Sequence, residues 1–115
     1  MAQKDVIFFN DEYLKRRDLI CARLDKLKNI FSYVRPESAY YVFPKIIKKD
    51  FDFSSIEAPE SFSFKFAFWL LEKAQVAVVP GVAFGPSGED HIRLSFGRTE
   101  ADINRAFDRM EKIFK

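Results

Sequence analysis

GEDHIRLSFG, residues 88–97, is the stretch on which the fold turns. At the two-residue period of a strand, His91, Arg93 and Ser95 share one face while Ile92, Leu94 and Phe96 share the other. The apolar face needs a core to cover it, so the strand is expected to turn that side toward helices. The other face sets a guanidinium in mid-strand, always charged and built to grip a carboxylate through two parallel N–H bonds. Taken alone, such an arginine reads as one half of a surface ion pair.

Working outward, VAVVP before this stretch reads as a short buried strand at 76–79, ended by Pro80 and Gly81. A glycine-bearing loop, GVAFGPSGED, joins the two strands. Beyond them, Thr99 with Asp102 three residues on resembles a capping box for a helix over 99–114, with Ile103, Phe107, Met110 and Phe114 as its buried stripe. The stretch SFSFKFAFWLL admits two periods. Phe62, Phe64, Phe66 and Phe68 alternate as in a strand, but Phe66, Trp69, Leu70 and Ala74 keep helical spacing, and a helix over 63–74 is expected. Its rings then point in several directions and need packing on more than one side.

Near the start, Tyr13, Ile20, Leu24, Leu27 and Phe31 fall near one face of a helix expected over 10–31, capped by Asn10 or Asp11. Cys21 lies beside that stripe and reads as a small buried residue without chemistry. SYVRPESAYYVFP offers strands near 32–35 and 39–43 around Pro36, Glu37 and Ser38, a hairpin or tight connection. Residues 45–61 are polar and broken by Pro59, so they read as a loop. The order is helix, two strands, helix, two strands, helix. It points to one α+β domain over 1–115, a small and mostly antiparallel sheet of three or four strands covered by helices.

Composition bounds the partners. A chain of 115 residues fits one domain and buries roughly two-thirds of its unfolded surface. Nineteen basic against seventeen acidic residues leave +2, too little to indicate a polyanion, so no nucleic acid is expected. No basic-then-apolar leader and no run of about twenty apolar residues occurs, so the expectation is a soluble, cytoplasmic protein without a membrane partner. One cysteine and one histidine exclude an internal disulfide and a thiol-rich metal site. Fourteen Phe are many for so small an interior. They make either a phenylalanine-rich core or, in part, a surface for a partner.

Other chemistry is weakly signalled. His91 has no cysteine nucleophile at a recognisable spacing and reads as a surface or capping residue at a strand start. The glycines of PGVAFGPSG match neither a dinucleotide fingerprint nor a P-loop. The basic run KIIKKD, and RRD in the first helix, read as solvated charge.

Read together, LLEKAQVAVVPGVAFGPSGEDHIRLSFG at 70–97, RPESAYYVFP at 35–44 and EYLKRRDLICARL at 12–24 closely resemble the C-terminal small domain of class I/II aminotransferases. These are the fold type I pyridoxal phosphate enzymes. The resemblance runs from about Tyr13 to the last helix. It implies that Arg93 binds the α-carboxylate of an amino-acid or keto-acid substrate, a task in which a planar fork fixes rotation as well as position. In the ESAYYVFP segment the family's strand at the pocket mouth has glycine, alanine and a bulky apolar residue. Ser38 replaces the glycine and Tyr40 takes the bulky position, as a pocket wall. Phe84 and Gly85 match the loop before the carboxylate-binding strand and are given a structural role first.

The resemblance also implies what lies elsewhere. The family's large domain supplies the Schiff-base lysine, the aspartate facing the pyridine nitrogen and the phosphate-binding residues, and none of those motifs is found here. The expectation is therefore a fragment that has no catalytic residue, binds no pyridoxal phosphate and does not turn over alone. Its partners would be the large domain and a second subunit. The same small domain occurs in carbon–sulfur lyases and in aminotransferase-like transcription regulators, which these residues do not separate. A stand-alone α+β RNA binder is the reading from another class, though the basic residue and glycines its commonest form interleaves with the aromatics are absent.

Overall fold

The computed structural model describes residues 3–36 and 40–114, with side chains from residue 11 onward. Three helices, α1 (Gln3–Asp25), α2 (Phe62–Ala74) and α3 (Glu100–Ile113), cover five short strands. These are β1 (Phe31–Ser32), β2 (Tyr41–Val42), β3 (Lys45–Ile46), β4 (Val79–Pro80) and β5 (Ile92–Ser95). All strand pairs are antiparallel, in a three-stranded sheet of order β2-β5-β4 and a two-stranded pair β1-β3. A bridge between Lys45 and His91 links the two pieces. The α+β architecture expected from the sequence is the one observed.

The register of β5 follows the alternation of its residues. Ile92, Leu94 and Phe96 are buried against the helices, Arg93 is half-buried and Ser95 exposed on the opposite face. α3 packs against both α1 and α2, burying Ile103, Phe107 and Met110. Its N-cap is Thr99, whose side chain accepts from the Asp102 N–H at 3.1 Å. α2 spans the helix expected, and its Phe66 and Leu70 are fully buried.

The rings divide as a helix with several packed sides requires. Phe31, Phe51, Phe62, Trp69 and Phe114 surround Phe66 with ring centroids 5.3–6.3 Å away. Phe43, Phe68 and Phe84 stay exposed. The phenylalanine excess thus serves both a core and a surface.

Five expectations differ from the structure. α1 ends at Asp25, and 26–30 form a turn closed by Leu27 N–H to Leu24 O at 2.9 Å and Ile30 N–H to Leu27 O at 3.0 Å. Such tight turns still aim Leu27 and Ile30 inward, so the apolar spacing outlives the helix. Asn10 and Asp11 lie inside α1, away from its start. The hairpin of the first two strands does not form: β1 pairs with β3, Phe31 opposite Ile46, while β2 pairs with β5. The segment expected as a loop therefore begins with a strand, in which Ile46 is wholly buried. Finally, β4 includes Pro80, which an edge strand tolerates. Ser38 and its neighbours Glu37 and Ala39 lie outside the described residues.

Candidate functional site

β5 is the central strand of its sheet, so the face that carries Arg93 is framed on both sides. Arg93 stands opposite Val79 of β4, and Ser95 opposite Tyr41 of β2. Cross-strand partners share a face, which puts Tyr41 diagonally beside Arg93. The guanidinium carbon lies 4.7 Å from the Tyr41 ring centroid and 4.6 Å from that of Phe84. Phe43, one residue past β2, meets Phe84 edge-on at 5.9 Å and stacks on His91 at 4.8 Å and 14°. Tyr41, Phe43 and Phe84 are 47%, 37% and 51% exposed, so the rings form an open rim about the arginine.

Among the described residues no carboxylate lies within ion-pair distance of Arg93. The surface ion pair considered from the sequence is not what surrounds it. Aromatic faces attract a cation but cannot neutralise it, so the N–H donors retain their affinity for an anion.

Phe84 reaches this face because its segment is pinned at three points. The Gly81 N–H donates to His91 O at 2.7 Å. The Val82 N–H donates to Ser63 Oγ at 3.2 Å. Gly81 and Gly88 approach so closely that a Cβ on Gly81 would fall 2.1 Å from the Gly88 oxygen. Gly85, at φ 129°, then turns the chain through a region reserved for glycine. Glu89 completes the support by accepting from Ser61 Oγ at 2.5 Å and from the N–H and Oγ of Ser63, both at 3.1 Å. Burial pushes the Glu89 carboxyl up, but these hydrogen bonds outweigh it and hold the group below its ordinary range.

His91 is half-buried, and its Nδ1 is buried without a hydrogen-bond partner. Burial depresses its pKa, with Lys45 and Lys49 adding to the effect and Asp90 opposing it. The ring is thus held neutral, suited to stacking on Phe43. Cys21 is buried, and burial raises its thiol pKa, which leaves it unreactive. In the basic run, Lys48 pairs with Asp50 at 2.5 Å and Lys49 with Asp90 at 2.9 Å. No cluster of three or more metal-ligating side chains occurs among the described residues. No described helix is long and apolar enough to cross a membrane.

Tyr40 lies on the opposite face from Arg93, its ring 5.2 Å from Tyr13 and 5.8 Å from Phe96. The residue that stands with Arg93 is Tyr41. Alternation carried that signal, since Val42 as an inward residue forces Tyr41 outward. The approach of Phe84 depends on contacts between distant segments and had no local signature.

The domain is thus a small α+β unit whose central strand presents one guanidinium between aromatic rings. No protein-family model matches the chain. It is 38% identical over 104 residues to aromatic-amino-acid aminotransferase 2 of Thermococcus litoralis, covering 90% of this chain and 24% of that protein. The same figures hold for an aspartate aminotransferase of Pyrococcus abyssi. The crystal structure of an aromatic aminotransferase from Pyrococcus horikoshii matches with a TM-score of 0.78 at 33% identity, over 96% of this chain and 26% of that one. The chain spans about a quarter of the length of these relatives. In sequence and fold it corresponds to the C-terminal part of the class I/II pyridoxal phosphate-dependent aminotransferases.

Pyridoxal phosphate needs an amine for its aldehyde, donors for its phosphate and a carboxylate for its ring nitrogen. The contacts on Arg93 are rings, and Lys48, Lys49 and Lys65 are each tied to a carboxylate near the surface. The Arg93 N–H donors, faced by rings, are of the kind a carboxylate accepts from.

Proposed function

We propose that this chain is the substrate-binding C-terminal domain of a pyridoxal phosphate-dependent aminotransferase acting in amino-acid metabolism in the cytoplasm. Arg93 grips the α-carboxylate of the amino-acid or keto-acid substrate. Cofactor, Schiff-base lysine and phosphate donors come from a large domain, with a second subunit completing the enzyme, so the chain alone does not turn over. We assign the wall beside Arg93 to Tyr41, with Tyr40 backing the strand from the core side. The observation that carries this reading is a mid-strand arginine that faces aromatic rings where a structural ion pair would place a carboxylate.

The chemical reason for an arginine is orientation. A two-pronged donor fixes the rotation of the carboxylate and with it the direction of the Cα–H bond, which sets how easily that bond breaks. Arg93→Lys keeps the charge and loses the fork. In the complete enzyme it is expected to raise KM and lower kcat, with catalytic efficiency falling by about thirty-fold to several-thousand-fold. Cofactor absorbance should persist, because Arg93 has no assigned contact with the cofactor. Steady-state kinetics with several amino donors test this, and an efficiency within about three-fold of the parent refutes the role.

A further inference from the structure

We propose that Tyr41 and Phe84 are positioning residues, a pair of rings that clamp the Arg93 guanidinium and keep its N–H donors available to a carboxylate. The inference rests on Arg93 as the carboxylate site and extends it to residues that never touch the ligand's charge.

The two rings reach Arg93 from opposite sides of β5. Tyr41 belongs to β2, and Phe84 to the 3-10 segment 81–84 that follows β4. Each ring centroid is within 4.7 Å of the guanidinium carbon, well inside the roughly 6 Å over which a cation and a ring face attract. An unrestrained arginine side chain samples many rotamers, and freezing them on binding costs about as much as one good hydrogen bond provides. Rings already in contact with the guanidinium impose that order before a ligand arrives. A carboxylate neighbour would impose order too, but it would occupy the donors the ligand needs. The clamp is itself backed, since Phe43 meets Phe84 edge-on and stacks on His91, which is bridged to Lys45 across the strands. Three half-exposed rings on one face have a use in this arrangement that a core cannot give them.

The test uses the complete native protein with Tyr41→Leu, Phe84→Leu, Tyr41→Phe and Arg93→Lys. Leucine keeps apolar bulk and removes the ring face, and both sites are exposed enough for the variants to fold, which circular-dichroism melting confirms. One readout is the NMR signal of the Arg93 Nε–H, shifted upfield by ring currents in the unliganded parent. The other is the Kd of 3-phenylpropionate, a carboxylate with no amino or keto group to react. The expected result is a reduced upfield shift, and a Kd roughly 3- to 30-fold higher, in each leucine variant, with Tyr41→Phe within about two-fold of the parent. Leucine variants that bind like the parent while Arg93→Lys binds weakly overturn the clamp and leave the carboxylate site standing. Unchanged binding in Arg93→Lys overturns the carboxylate site and the clamp with it.

Discussion

Ser63 is wholly buried at the start of α2, and both its N–H and its hydroxyl donate to Glu89 Oε1 at 3.1 Å. The same hydroxyl accepts from Val82, so one serine joins the α2 N-terminus, Glu89 and the segment that ends in Phe84. The arrangement behind the aromatic rim is therefore held by a polar network. An apolar core alone would not fix the position of a loop so closely.

Glu89→Gln should destabilise the protein by about 1–2 kcal/mol, because charge-assisted acceptance becomes neutral while the donors stay in place. The carboxyl sits below its ordinary range in the folded state, so its contribution is complete above the ordinary glutamate pKa. It is lost as pH falls through the folded-state value. Urea melts between pH 3 and 7 should show a shallower acid loss in Glu89→Gln. Identical pH profiles would exclude the network as a source of stability.

Arg23 ties α1 to α3 across the chain. Its guanidinium donates to Asp108 and Glu111 at 2.7 Å and to Asn104 Oδ1 at 2.9 Å, and it lies 5.7 Å from the Phe107 ring centroid. Asp108 is 68% exposed and can rehydrate, so Arg23→Met should cost about 1–3 kcal/mol, below the roughly 3–5 kcal/mol of a fully buried pair. Arg23→Lys should recover less than half of the loss, for lack of a fork. A denaturation midpoint unchanged in Arg23→Met would show the staple to be idle.

Two glycines in one loop should respond differently to alanine. A Cβ on Gly88 would lie 2.2 Å from the Gly81 oxygen and 2.6 Å from its carbonyl carbon, a clash with backbone, so Gly88→Ala is expected to cost about 3 kcal/mol or more. Gly85 has nothing within 4 Å of its Cβ position, and only its φ of 129° opposes a side chain. Gly85→Ala should cost about 1–3 kcal/mol. Chemical denaturation of both variants would rank them, and the reverse order would refute this account of the loop.

Gln75 closes α2 in the left-handed region at φ 57°, where its N–H donates to Leu71 O at 3.0 Å. Arg109 bonds the Gln75 carbonyl and not its side chain, so the side chain can be removed without breaking that contact. Gln75→Gly should stabilise the protein by about 0.5–1 kcal/mol, since glycine takes this conformation without strain. A lowered thermal midpoint would contradict it.

Much of this was decided by local sequence. The alternation in HIRLSF placed Arg93 opposite the helices, because a slip of one residue would bury a charge and expose three apolar side chains. The spacing of Ile103, Phe107 and Met110, with Thr99 before them, bounded α3 for the same reason, that burial and capping act within a few residues. Other features were beyond local reach. The pairing of β1 with β3, the contact of Arg23 with Asp108 and Glu111, and the meeting of Ser63 with Glu89 join segments distant in the chain. No periodicity records such partners, since many pairings satisfy the same apolar pattern and only packing of the whole domain selects among them. Tyr40 and Tyr41 show the division at one peptide bond. Two adjacent tyrosines offer the same chemistry: alternation sends their rings to opposite faces, and the pairing of Tyr41 with Ser95 brings the outward one beside Arg93.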